Sequence, residues 1–346
     1  MLATLAAYLH DLDPFAIFFG QNFPLQGIRW YGLAYLAGFI VAFLIIQRLT
    51  KVGISTLKPD KTSDYIMACA IGVFLGGRIG YVLFYQIHLL TDFSGAFPYW
   101  GALEINNGGM SSHGGMIGVA LATFIYAYRY KHNIAHLWDL AALSVPAGLF
   151  FGRMANFVNG ELYGRACDIN MPLAVKFPQE MRNWSYLEHG KQLGQLKEAI
   201  SPLTLQAQDQ DVTQLIPMII EKIQEGNVQF QQAVAPLLTA RHPSQLYEGV
   251  LEGVVLFAVM ILFALKPRKP LFLSGIFAII YGILRFIVEY FRMPDEHIKN
   301  AEFATYHITR GQLLSIPLIL IGVLFLIYAK KSKAKPLGGL RANIIP

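Results

Sequence analysis

Seven apolar runs set what this chain can become. They fall at 28–49, 63–88, 113–130, 136–157, 243–265, 272–292 and 311–329. About 20 apolar residues wound as a helix span the roughly 30 Å hydrocarbon layer of a bilayer. In lipid a single segment can satisfy its own backbone only as a helix. Hydrophobic residues make up 54% of the chain and charged residues 14%, with a mean hydropathy of +0.43; soluble domains carry about a quarter charged residues. The expected fold class is an all-α integral membrane protein with seven transmembrane helices.

The formal charge of +6 would point to nucleic acid only if the basic residues formed one solvated face. They sit instead in short clusters between the runs, which is how topology is written. Arg48, Lys51, Lys58 and Lys61 follow the first run, Arg129 and Lys131 the third, Lys266, Arg268 and Lys269 the fifth, and Lys330 to Lys335 with Arg341 the last. The segment before residue 28 and the loop 89–112 hold none, and the connection 292–310 holds three. This asymmetry places the N-terminus outside and the C-terminus in the cytoplasm, with no nucleic-acid partner.

The division that follows is an external interfacial segment at 1–27, helices one to four at 28–157, a small external (periplasmic) head at 158–242, helices five to seven at 243–329, and a basic cytoplasmic tail at 330–346. MLATLAAYLHDLDPF at the start lacks the basic region and apolar core of a cleavable signal peptide and is read as an amphipathic lead-in. In the head, 192–232 mixes Gln, Glu and Lys with Leu and Ile, the composition of short amphipathic helices. Cys69 lies in an apolar run and Cys167 in a polar one, in no disulfide or metal-ligand spacing. No metal and no cofactor are expected.

The stretch FGRMANFVNGELYGR, 151–165, fills the end of an apolar run with groups that lipid cannot solvate. Such residues are functional-site candidates by default. Arg153 and Asn156 are three apart on one helix face; Tyr281, Arg285 and Glu289 are four apart on another. Glu289 serves equally well as the neutralising partner of Arg285 or as a catalytic carboxylate. With the topology above, Tyr31, His113, Arg241 and Ser244 begin inward-running helices, and Arg78, Arg153, Asn156, Arg285 and Glu289 lie in the outer halves of outward-running ones. Arginines gathered at that level suit phosphate, whose oxygens the guanidinium fork matches, and phospholipid headgroups are the phosphates found there. His113, in GGMSSHGGMIG, stands at a helix start that favours a neutral, proton-accepting imidazole; a satisfied structural histidine is the equal alternative. His242, beside Pro243, is a weaker candidate. Glycines four apart at 72, 76 and 80, at 114 and 118, and at 249 and 253 are read as close helix packing. No enzyme-borne nucleophile stands out, so the nucleophile is expected to arrive with the substrate.

Six stretches together resemble a known family: IRWYG (28–32), GGRIGYVLFY (76–85), GGMSSHGGMIG (108–118), GRMANFVNGELYGR (152–165), RHPSQLYEG (241–249) and RFIVEYFRMPDE (285–296). They are similar, in order and across most of the chain, to bacterial prolipoprotein diacylglyceryl transferases. The region 183–234 carries none of the motifs. The resemblance implies transfer of the diacylglyceryl group of phosphatidylglycerol to the lipobox cysteine thiol of a prolipoprotein signal peptide, in the bacterial cytoplasmic (inner) membrane with the site facing the outer side. Its carried-over site residues are Tyr31, His113, Arg153, Asn156, Glu161, Gly164 and Arg241, with Gly164 implied by the motif alone; the expected phosphatidylglycerol contacts are Arg153, Arg241, Asn156 and Gly164, joined by Arg78 and Arg285. The rival readings are an arginine-lined anion or lipid transporter, although no broken helix or inverted repeat is evident, and a seven-helix receptor.

Overall fold

The structure, a computed structural model, describes residues 7–20, 26–53, 55–93, 99–103, 109–293 and 308–340. Helices dominate it. They are α1 (Trp30–Lys51), α2 (Thr62–Tyr85), α3 (Ser112–Tyr130), α4 (Ile134–Asn159), α5 (Tyr186–Ile200), α6 (Gln206–Asp209), α7 (Val212–Gln224), α8 (Val228–Val234), α9 (Ser244–Glu248), α10 (Leu256–Ala264), α11 (Phe272–Val288) and α12 (Arg310–Lys331). Five short strands accompany them: β1 (Tyr8–Leu9), β2 (Phe15–Phe18), β3 (Gly27–Arg29), β4 (Val175–Lys176) and β5 (Ala240–Arg241).

Among the described residues, five helices are long and apolar enough to cross a membrane: Trp30–Lys51, Pro59–Tyr85, Ile134–Asn159, Ser244–Ala264 and Gly311–Lys331. The chain is a multi-pass helical membrane protein. Of the other two expected runs, α3 is diluted by its polar ends, Ser-His-Gly-Gly and Tyr-Arg-Tyr, and α11 is an apolar helix of 17 residues. The run expected to reach 292 stops as helix at Val288. There the chain turns so that Phe291 and Arg292 pair with the segment 164–165.

The helix across 244–264 is also less regular than the sequence implied. It is wound as a π-helix over Gly249–Val255 between α9 and α10, the kind of insertion often found at functional sites.

The chain divides into two compact units. One comprises 37–148, 256–281 and 318–346. In it the glycines expected to pack do so: a Cβ at Gly72 would stand 2.6 Å from the Gly118 carbonyl oxygen, and one at Gly80 2.7 Å from the Gly114 Cα. Side chains cannot intervene, and α2 and α3 lie backbone to backbone. Asp139 of α4 is buried and accepts from the backbone N and the Oγ of Ser274, both at 2.7 Å. A carboxylate from one helix thereby caps the first turn of another, α11.

The other unit comprises 1–36, 149–255 and 282–317. Helices α5, α7 and α8 pack around a core that includes Met181, Leu193, Leu196, Ile219, Ile223 and Val234. Helix α7 buries Val212, Leu215, Ile216, Ile219, Ile220 and Ile223, the spacing of one apolar stripe. Its N-cap Asp211 accepts from Thr213 N at 2.8 Å, and Asn227 caps α8 in the same way. Among the described residues the N-terminal segment contributes strands: β1 runs parallel to β4, β4 antiparallel to β5, and β2 pairs antiparallel with β3. Helix α12 opens with a capping box, Thr309 N to Gln312 Oε1 at 3.1 Å and Gln312 N to Thr309 Oγ1 at 3.2 Å.

Candidate active site

Tyr31, Arg153, Asn156, Glu161, Gly164, Arg241 and Arg285 all belong to the second unit. Helix α4 carries Arg153 one turn before Asn156, and the two reach different partners. Asn156 is buried and donates its Nδ2 to the Tyr31 hydroxyl at 2.5 Å. Arg153 Nε lies 2.8 Å from Glu248 Oε2, and its Nη2 3.2 Å from Glu252 Oε2. Neither carboxylate was anticipated as a partner. Both are buried, and they approach Arg153 because of the glycine that follows each. A Cβ at Gly249 would stand 2.6 Å from Met154 Cε, and one at Gly253 2.6 Å from Phe150 Cβ. The glycines expected to pack helices therefore also bring α4 within salt-bridge reach of Glu248 and Glu252.

Arg285 joins the same carboxylates, at 3.4 Å from Glu248 and 3.6 Å from Glu252, and pairs with Glu289 at 3.0 Å. Arg292 Nε lies 3.9 Å from Glu248 Oε1, and its Nη1 3.9 Å from Glu289 Oε2. Glu289 itself lies under the first turn of α12, where a Cβ on Gly311 would come within 2.6 Å of its carboxyl carbon; a helix N-terminus favours a carboxylate there. Arg153, Arg285 and Arg292 thus face Glu248, Glu252 and Glu289, a balanced set in which all three guanidiniums keep 12–18% of their side-chain surface exposed. Buried charges persist when they are paired in this way.

The loop after α4 is laced to the rest of the site by its backbone. Gly164 N donates to His242 O at 2.9 Å, His242 N to Arg165 O at 3.0 Å, and Arg165 N to Phe291 O at 2.9 Å. A Cβ at Gly164 would stand 2.5 Å from His242 O and 2.6 Å from Phe291 O, so only glycine fits between the two strands it bridges. The Glu161 side chain accepts from Asn159 Nδ2 at 2.9 Å, and its carbonyl from Gln245 Nε2 at 2.6 Å. It makes no ion pair to an arginine among the described residues.

Arg241 is held apart from that cluster. Its Nε lies 2.6 Å from the Glu180 carboxylate, its Nη1 donates to Gly164 O at 3.4 Å, and the guanidinium carbon sits 4.9 Å from the Tyr163 ring centre. Glu180 also accepts from Thr239 N at 2.8 Å. His242 approaches Tyr247, and burial lowers its pKa below the ordinary histidine value. His10, unmarked in the sequence reading, is fully buried between the Phe157 and Phe177 rings, and its Nε2 meets Phe157 O at 2.7 Å.

Arg78 and His113 belong to the first unit. Arg78 is buried, and its guanidinium donates to the carbonyls of Ala102 at 2.6 Å, Gly101 at 2.8 Å and Gly109 at 3.1 Å. It ties Gly101, Ala102 and Gly109, ahead of α3, to α2. His113 is the second residue of α3, after the N-cap Ser111, whose side chain accepts from Gly114 N. The end of the motif at 285–296 and the start of the one at 108–118 lie outside the described residues.

Among the described residues no cluster of His, Cys, Asp and Glu is arranged to hold a metal ion. Glu248 and Glu252 had a legible signal: two carboxylates four apart inside an apolar run, open to the same default reading as Arg153. Glu180 had none, since only the long-range pairing of β4 with β5 brings it to Arg241.

Residues 20–328 match the family model described as prolipoprotein diacylglyceryl transferase. A phosphatidylglycerol–prolipoprotein diacylglyceryl transferase of Bdellovibrio bacteriovorus is 41% identical, over 97% of this chain and 98% of its own length. Proteins of the same name from Salmonella arizonae and Burkholderia orbicola are 39% and 37% identical, covering 95% and 94% of this chain and 97% and 96% of their own. The matched stretch holds the whole arginine–carboxylate cluster and the loop laced to it, and the chain belongs to the prolipoprotein diacylglyceryl transferase family.

Proposed function

We propose that the chain moves the diacylglyceryl group of phosphatidylglycerol onto the lipobox cysteine thiol of a prolipoprotein, leaving a thioether-linked prolipoprotein and glycerol 1-phosphate. The observation that carries this reading is the Arg153 cluster, set in the apolar helices of a chain whose full-length relatives are named for that reaction. Glu248 and Glu252 hold the Nε and Nη2 edge of Arg153, which fixes the plane in which a phosphate would be met. Because the resting cluster is balanced, an arriving phosphate competes with carboxylates already in place. That competition favours a group whose negative charge grows as the reaction proceeds, the condition for lowering a barrier and not only for binding.

In the proposed step the cysteine thiolate attacks the glycerol carbon bonded to the phosphate ester oxygen. The S–C bond forms, the C–O bond breaks, and the electron pair leaves on the phosphate. The thiol, with an ordinary pKa near 8.5, gives its proton to a base, and His113 at the start of α3 is the proposed one. Arg153 binds the phosphate and stabilises the leaving group, with Arg285 beside it. Arg241 contributes by holding the Gly164 loop against Glu180 and by its own charge. Asn156, oriented by Tyr31, aligns the ester, and Glu161 positions the glycerol hydroxyls. Seven helices cross the bacterial cytoplasmic membrane with the N-terminus outside, the head 158–242 covers the outer surface, and the site opens to that side.

The experiment is incubation of the purified full chain with phosphatidylglycerol vesicles and a peptide bearing a lipobox cysteine, read by mass spectrometry. The reading requires a diacylglyceryl adduct on the cysteine and none on the Cys→Ser peptide. A folded chain that yields no adduct but passes phosphate anions across sealed vesicles would replace the transferase with an arginine-lined transporter.

A further inference from the structure

After α12 ends at Lys331 the chain does not trail away. It returns along the connection between α10 and α11. Arg268 and Leu337 exchange both backbone hydrogen bonds, at 2.8 and 2.7 Å, and Leu340 N donates to Ala264 O at 3.0 Å. Lys269 Nζ donates to Ser332 O at 2.7 Å and to Lys330 O at 3.3 Å, closing the end of α12. The return depends on Gly338 and Gly339, at φ 79° and 103°; a Cβ on Gly339 would stand 2.6 Å from Pro267 Cδ.

Exposure alternates along this strap. Lys331, Lys333 and Lys335 are exposed, while Ser332 and Ala334 turn partly inward. Lys331 closes α12, and Lys333 and Lys335 follow it at alternate, exposed positions. The nearby sequence does not balance that charge: neither 256–281 nor 318–346 contains an Asp or a Glu, the unit's carboxylates all lie in 37–148, and among the described residues none of the three lysines makes an ion pair. The row begins where α12, long and apolar enough to cross a membrane, ends, which is the depth of lipid phosphates.

We infer that the strap is a docking surface for the anionic headgroups of bilayer lipids, formed by Lys331, Lys333 and Lys335 on a backbone pinned to the α10–α11 connection. Its lysines are not among the residues of the arginine cluster, and the inference does not depend on the transfer reaction.

The test reconstitutes the full chain in phosphatidylcholine bilayers containing spin-labelled phosphatidylserine or spin-labelled phosphatidylcholine, and compares the motionally restricted fraction of each label. Phosphatidylserine keeps the readout apart from the proposed donor lipid. The parent is expected to prefer phosphatidylserine, by up to about five-fold per lysine at low salt, with the preference falling at high salt. Combining Lys331→Gln, Lys333→Gln and Lys335→Gln is expected to remove most of it. Combining Lys191→Gln and Lys197→Gln on α5 is expected to leave it unchanged. Gly339→Leu, which keeps every charge but forces the strap off Pro267, is expected to reduce it. No preference in the parent, or equal preference in the parent and the triple variant, overturns the proposal. Full preference in Gly339→Leu overturns the part assigned to the pinned backbone.

Discussion

Gly164→Ala is the smallest change with a calculable consequence at the candidate site. The new methyl group would stand 2.5 Å from His242 O and 2.6 Å from Phe291 O, where ordinary contact begins at 3.4 Å. Each carbonyl would have to retreat by about 0.8–0.9 Å. Both carbonyls are hydrogen-bond acceptors, from Gly164 N and Arg165 N at 2.9 Å, and a retreat of that size takes the bonds beyond hydrogen-bonding range. Two lost backbone bonds at about 1 kcal/mol each, with an overpacking cost of about 1–3 kcal/mol, give a destabilisation of about 3–5 kcal/mol. The disturbance would not stay in the loop. Arg165 Nε holds Arg292 O at 3.0 Å, and Arg241 Nη1 reaches Gly164 O, so residues on both sides of the arginine cluster shift with it. A displacement near 1 Å at a reacting centre costs about a hundred-fold in rate. The assay pairs thermal unfolding in detergent with turnover on phosphatidylglycerol and a lipobox peptide. Parental unfolding temperature and turnover in Gly164→Ala would refute the argument that the loop sets the site's geometry.

Three further outcomes are expected. Glu248→Gln takes one carboxylate from a cluster of three guanidiniums, and loss of one partner from a buried ion pair costs about 3–5 kcal/mol; the melting temperature should fall and partly recover with added glycerol phosphate, whereas a parental melting curve would contradict the pairing. Ile219→Ala, in the fully buried stripe of α7, should cost about 2–5 kcal/mol, read as easier proteolysis of the 186–238 region than in the parent. Burial holds the His10 imidazole below its ordinary value of 6.5, so the unfolded chain takes up the proton first on acidification. The stability contributed by neutral His10 is complete above about 6.5 and is lost as pH falls from there toward the lowered folded value. His10→Phe, which keeps a ring between Phe157 and Phe177, should flatten the pH dependence of the melting temperature over that range; an unchanged slope would assign it to other groups.

The helices were legible because hydrocarbon leaves the backbone one option, and each apolar run became a helix within a few residues of its expected ends. The amphipathic pattern of 192–232 likewise became α5, α7 and α8. What escaped the sequence depends on contacts distant along the chain. The two-residue strands β1, β4 and β5 are too short to leave a periodic signal, and they exist only through pairing with segments far along the chain, Tyr8 with Val175 and Val175 with Arg241. Arg153 was legible as a charge lipid cannot solvate, but its partners lie ninety-five and ninety-nine residues on. They reach it through Gly249 and Gly253, which were read only as packing residues. Arg78 was likewise legible as a charge in an apolar run, but the carbonyls of Gly101 and Ala102 that it binds, more than twenty residues on, were not. Gly164 was carried over from a motif, and the structure supplies its reason in two carbonyl oxygens that leave no room for a side chain.

The central claim is that Arg153, braced by Glu248 and Glu252, engages the phosphate of the donor lipid. It is tested most directly by transfer of radiolabelled diacylglycerol from phosphatidylglycerol to a lipobox peptide, comparing the parent with Arg153→Ala and Arg153→Lys, each shown to be folded by its melting curve. The account predicts product from the parent, none above background from Arg153→Ala, and a strongly reduced rate from Arg153→Lys, which keeps the charge but loses the planar fork. Parental rates in folded Arg153→Ala would contradict it.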